Sequence, residues 1–169
     1  MKNTNKKGFT LTELMTVVII LAILMGIAGG SYRKAAERSK FSEGLVAAHA
    51  VMEAVERYHQ DHADIMQPKI ADLDIALQHK TNCSPSSNYC TKTKYFQVTI
   101  NSTKDSSNKY DVNVTAERIG GMYTITVYPE SYGKTRLSPD TCKGKNNKTD
   151  FCISVGYTNC NASGVCKKP

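Results

Sequence analysis

The chain has 169 residues, 22 Lys and Arg against 15 Asp and Glu, a net charge of +7, and 40% apolar residues. That length accommodates one domain of ordinary size plus an appendage. Lys2, Lys6 and Lys7 all precede Gly8; without them the balance is 19 against 15, or +4, spread among acids, Ser and Asn, which keeps a surface soluble but forms no basic stripe of the kind that tracks nucleic acid.

Residues 6–30 read KKGFTLTELMTVVIILAILMGIAGG, with a carboxylate, Glu13, set just ahead of an apolar run. Residues 14–32 are 19 consecutive residues without a charge. A helix of that length, rising about 1.5 Å per residue, covers the roughly 30 Å hydrocarbon core of a bilayer. The pattern then becomes amphipathic: Phe41, Leu45, Ala48, Met52, Val55 and His59 recur at steps of three and four, with Gly44 as the interruption. No proline occurs before Pro68. The pattern therefore predicts one helix over about residues 10–63, roughly 80 Å long, apolar all round in its first half and striped in its second. A short helical segment is expected over residues 70–78.

Beyond this point the runs TKYFQVTI, KYDVNVTA and MYTITVYP alternate with period two. Phe96, Val98 and Ile100 share one face, as do Tyr110, Val112 and Val114, and Tyr123, Ile125 and Val127. Short polar gaps between the runs predict an antiparallel meander over about residues 92–128. Its apolar face needs cover, which the stripe on the long helix can supply. Residues 129–169 are rich in Gly, Asn, Lys and Cys, read as loops around one short strand over residues 151–155, and are too poor in apolar residues to build a separate core. All six cysteines, Cys83, Cys90, Cys142, Cys152, Cys160 and Cys166, lie in the second half. An even count behind a hydrophobic N-terminus points to disulfides made outside the cytoplasm; the spacings lack the close pairs zinc sites favour. Sequence does not choose among the 15 pairings open to six cysteines; sequential pairing is the working expectation. The fold class is α+β: a long N-terminal helix on a small antiparallel sheet, with a disulfide-stapled C-terminal region.

Three readings of residues 1–30 compete. A conventional signal peptide would end at Ala28, leaving a secreted extracellular binding protein that starts at Gly29. A plain membrane anchor is the second. Neither gives Glu13 a task, and an acidic residue at mid-membrane costs about 2.5–3.5 kcal/mol. The third rests on the residues themselves: Gly8-Phe9-Thr10-Leu11-Thr12-Glu13 followed by a long apolar run resembles the N-terminus of type IV pilins and their pseudopilin relatives.

That resemblance implies a leader over residues 1–8, cleavage by a prepilin peptidase between Gly8 and Phe9, and methylation of the new N-terminus. It also implies a transmembrane, later filament-core, helix over residues 9–32 and a pilin-like globular domain over residues 33–169. Glu13 would be fifth in the mature chain and pair with a neighbouring subunit's N-terminal amine. The partners implied are further copies of the chain in a helical filament, the peptidase, and the inner-membrane assembly machinery. The subunit would start as a single-pass inner-membrane protein and end in an extracellular pilus or, for a type II secretion pseudopilin, a periplasmic pseudopilus. Adhesion, motility and DNA uptake are all within the family's range; DNA uptake is the route by which a nucleic-acid partner stays open. Where many members carry a proline, this chain has Gly30; with Gly26 and Gly29 it can serve as the place where the helix gives way, each glycine costing about 1 kcal/mol relative to alanine.

Other clusters weigh less. His59 and His62 lie three apart with Asp61 and Asp64 nearby, a metal-capable spacing that more often marks a solvated helix end. Glu130, Ser138 and Asp140 have the oxygens of a calcium loop, though turn chemistry explains them as well. Five N-x-S/T matches, including Asn101-Ser102-Thr103 and Asn113-Val114-Thr115, reflect a Ser/Thr/Asn-rich composition. No hydrolase, kinase, phosphate-loop or dinucleotide motif occurs. The reading assigns no catalytic residue, metal or cofactor: a structural subunit, not an enzyme.

Overall fold

The computed structural model describes residues 8–62, 67–77, 81–83, 88–104, 110–129 and 139–169. It divides into two compact units, Met1–Ser39 and Lys40–Pro169. Helix α1, Leu11–Asp61, begins in the first and ends in the second.

Within the first unit, residues 14–32 of the helix carry no charge on any side. Five of residues 17–23 are β-branched, weak helix formers in water. In a bilayer the same residues become helical because each backbone group must be satisfied within its own segment. The helix bends at Ala28, between Ile27 and Gly29, next to the glycines at 26, 29 and 30. Among the described residues no single helix is long and apolar enough to cross a membrane; the bent pair Leu11–Ile27 and Gly29–Asp61 is, by length and composition.

The second unit is built on a seven-stranded antiparallel sheet whose strands follow one another in chain order. They are β1 Thr81–Asn82, β2 Cys90–Lys92, β3 Phe96–Lys104, β4 Tyr110–Arg118, β5 Tyr123–Val127, β6 Thr141–Gly144 and β7 Val165–Lys167. The three alternating runs are the central strands. Phe96 stands opposite Arg118, Ile100 opposite Val114, and Ala116 opposite Ile125. Their inward side chains, with Phe41, Ala48, Val51, Met52 and Val55 of α1, form one core. The helix stripe thus covers the sheet. Gly44 is where the two come closest: a Cβ there would run into the ring of Phe96. On the opposite face, Asn101 donates to Asn113 Oδ1 (3.1 Å) and to Thr115 Oγ1 (3.0 Å). This gives two of the N-x-S/T motifs a cross-strand task.

The C-terminal region departs from expectation. Residues 151–155 are not a strand: Asp150–Ser154 is a short helix, α2. A strand would send Phe151 and Cys152 to opposite faces. Here Cys152 is buried and bonded to Cys142, while Phe151 stacks on Tyr123 at 4.3 Å between ring centroids. One helical turn lets consecutive residues serve both contacts. Instead of loops alone, the region adds β6 and β7 to the sheet, and Cys142, Cys152, Tyr157 and Cys166 to the shared core. The predicted helix over residues 70–78 is likewise replaced, as far as residue 77, by a turn and irregular chain. Ile70 and Leu73 are buried, and the Ile70 N–H bonds to the Asn88 carbonyl outside the segment; Gln78 lies outside the described residues.

The disulfides join Cys83 to Cys90, Cys142 to Cys152 and Cys160 to Cys166. Each closes a loop local in sequence, with separations of 7, 10 and 6 residues.

Candidate functional site

Gly8, Phe9 and Thr10 precede α1 without regular structure, and the Phe9 side chain is 90% exposed. An open, non-helical peptide bond between Gly8 and Phe9 is a form a peptidase can bind. Residues 1–7, with the leader lysines, lie outside the described residues.

Glu13 stands in the first turn. Its Oε2 accepts the Thr10 backbone N–H and the Thr10 hydroxyl, both at 2.8 Å. In return, the Glu13 N–H donates to Thr10 Oγ1 at 3.3 Å. This is a reciprocal capping box, with Thr10 as the N-cap and Glu13 three residues on. It satisfies donors that a helix start leaves without partners and puts a negative charge at the positive end of the helix dipole. The T-x-x-E spacing ahead of the apolar run is the sequence signature of this cap. Thr16 closes a second local bond, from its hydroxyl to the Thr12 carbonyl at 2.8 Å. Oε1 of Glu13 takes no hydrogen bond among the described residues, so half of the carboxylate's acceptor capacity faces outward.

Past the cap, 13 large apolar side chains between Phe9 and Ile27 are each at least 46% exposed. Leaving that surface in water forgoes burial worth on the order of 10–20 kcal/mol. The helix therefore needs an apolar surrounding, either lipid or other helices.

The remaining candidates fall elsewhere. The six cysteines are paired in the second unit, far along the chain from this helix start. His59 is buried, and His62 stacks on Tyr58 with its Nδ1 3.2 Å from the Tyr58 carbonyl oxygen. Among the described residues no three His, Cys, Asp or Glu are grouped to hold a metal; Asp64 lies outside them. Of the calcium-loop candidates, Glu130 and Ser138 lie outside the described residues. Asp140 accepts His49 Nε2 at 2.9 Å.

A capped helix start behind a Gly-Phe bond and an uncovered apolar helix segment thus occur in one chain with an α+β unit stapled by disulfides. Residues 3–29 match the prokaryotic N-terminal methylation motif. The chain is 39% identical over 62 residues to the fimbrial protein of Neisseria meningitidis serogroup B, a match covering 37% of this chain and 36% of that one. It is 40% identical over 60 residues to the type IV major pilin protein PilE of Neisseria gonorrhoeae, covering 36% of each. It is 43% identical over 56 residues to the fimbrial protein EcpC of Eikenella corrodens, covering 33% of this chain and 37% of that one. The chain spans just over a third of the length of the relatives it matches. No solved structure gives a significant match. Over its N-terminal third, this chain is similar to type IV pilins.

Proposed function

We propose that the chain is the structural subunit of a type IV pilus-like filament. It is made as a single-pass inner-membrane precursor, cut after Gly8 by a prepilin peptidase and methylated on Phe9. It then assembles through its N-terminal helix into an extracellular filament for adhesion, motility or DNA uptake. The observation that carries this reading is the apolar helix segment, uncovered on all sides, whose first turn holds Glu13 five residues after Gly8. In the membrane, lipid covers this helix; in the filament, copies of the same helix do. Glu13 then sets the register. A free Phe9 amine, charged below a pKa of about 7.7–8.0, needs a partner inside an apolar bundle. The outward Oε1 of a neighbour's Glu13 supplies one, and leaving either charge alone costs about 3–5 kcal/mol. The relatives, fimbrial proteins and a major pilin, favour a pilus over a secretion pseudopilus. The cysteines favour the same choice, since a filament outside the cell has to survive there.

Intact mass and N-terminal fragmentation of the protein from sheared surface filaments test this. The expected result is a chain that starts at methylated Phe9, lacks the six thiol hydrogens lost to three disulfides, and is a main filament component. A chain that starts at Gly29 removes the helix and the filament argument together.

A further inference from the structure

One end of the sheet gathers cations around an aromatic ring. The antiparallel register brings together the turn between β2 and β3, the turn between β4 and β5, and the end of β6. Three cations crowd the ring of Tyr95 there: Lys40 Nζ at 5.2 Å, Lys94 Nζ at 5.1 Å and Arg118 Cζ at 5.4 Å from its centroid. Arg118 also donates to the Tyr95 and Ile119 carbonyls, at 3.1 and 3.0 Å, so the two turns are tied. Next to them Gly120 and Gly121, with φ of 99° and 66°, turn the chain so that Ile119 and Met122 stand out 47% and 48% exposed. Lys145 Nζ lies 4.0 Å from where a Cβ on Gly121 would sit. Glu117 is exposed on β4, and Glu37 and Glu43 lie three residues either side of Lys40 on α1.

We propose that this end of the globular unit is a docking surface for anionic phospholipid headgroups, held against the membrane before assembly. The proposal rests on the membrane-anchored reading above. Four cations supply the charge complement, and the tyrosine ring and two apolar side chains suit the interface, where amphipathic rings and basic groups accumulate. Ile119 and Met122 favour lipid over nucleic acid, since a phosphodiester backbone offers apolar side chains nothing to enter.

The chain contains no tryptophan, so full-length Ile119→Trp carries a single reporter. It is reconstituted into vesicles of phosphatidylcholine alone or mixed with phosphatidylglycerol, with brominated acyl chains as quencher, and flotation reads anchoring separately. The expected result is flotation with both vesicles, but blue-shifted and about twofold quenched emission only with the anionic ones. That quenching should be lost at 1 M salt, where the screening length falls to about 3 Å, and in Ile119→Trp/Lys94→Glu. Met122→Trp should repeat the result, and Val46→Trp, exposed on α1, should show no quenching. Equal quenching in neutral and anionic vesicles, or none while the protein still floats, overturns the inference and leaves the anchor reading standing. Emission that responds to duplex DNA but not to anionic vesicles overturns it in favour of a nucleic-acid surface. A chain that floats with neither vesicle overturns both readings.

Discussion

Glu13 has two carboxylate oxygens, and its own chain uses one of them, on Thr10. The local cap and the proposed intersubunit pair are therefore compatible, and two substitutions separate them. Glutamine keeps the capping box but has no charge. Glu13→Gln should be processed, start its helix normally and yet be depleted from sheared filaments. Glu13→Ala should lose the cap as well, at about 0.5–2 kcal/mol of local helix stability. Fragment masses check processing, and filament yield checks assembly; normal filaments from the glutamine variant would sink the charge-pair account. A second residue sets a pH limit. Burial, with the Asp140 charge adding to it, pushes the Tyr157 phenol up to about 12. The folded chain thus holds this proton more tightly than the unfolded chain, whose phenol titrates near 10. The resulting stability is intact below about pH 10 and is lost as the pH climbs through about 12. Denaturant midpoints measured from pH 9 upward should fall in the native protein and stay flatter in Tyr157→Phe.

At the scale of elements, the contact between α1 and the sheet depends on Gly44. By propensity alone, alanine at a helix interior position gains about 1 kcal/mol over glycine. Here the added Cβ meets the Phe96 ring, and overpacking a filled core costs about 1–3 kcal/mol. The collision should win: Gly44→Ala is expected to lower Tm, and a rise in Tm would show that Phe96 can move aside. Arg57 and Asp74 tie α1 to the irregular segment after it through a 2.9 Å ion pair. The hydrogen bond to Arg57 holds the Asp74 carboxyl below the usual carboxylate range. The pair therefore helps above that range and stops helping as the pH falls through it; being exposed, it contributes little.

For the whole molecule, the C-terminal region holds together through its disulfides. Cys142 and Cys152 join β6 to α2 in the core. Replacing both with alanine should cost about 2–3 kcal/mol, or roughly 10 °C in Tm. It should also free Phe151 from Tyr123, which near-ultraviolet circular dichroism would register. An unchanged melting curve would mean that sheet pairing alone fixes this region.

The sequence by itself determined the parts set by local pattern. Residues 14–32 carry no charge, the α1 stripe repeats at helical spacing, and three strands alternate with period two; each signal is long enough to outweigh competing conformations. The Gly8, Phe9 and Glu13 arrangement was legible for the same reason, since it is contiguous. Only the tertiary structure decided the short segments. The run over residues 151–155 reads as a strand, yet its partners are Cys142 on β6 and Tyr123 on β5, outside the run itself. Intrinsic preferences of a few tenths of a kcal/mol per residue over so short a stretch yield to one disulfide and one stacked ring. Strands β6 and β7 were equally hidden, because three or four residues gain strand character only when β5 offers them an edge. The cations around Tyr95 come from three separate parts of the chain, and no local pattern could have gathered them.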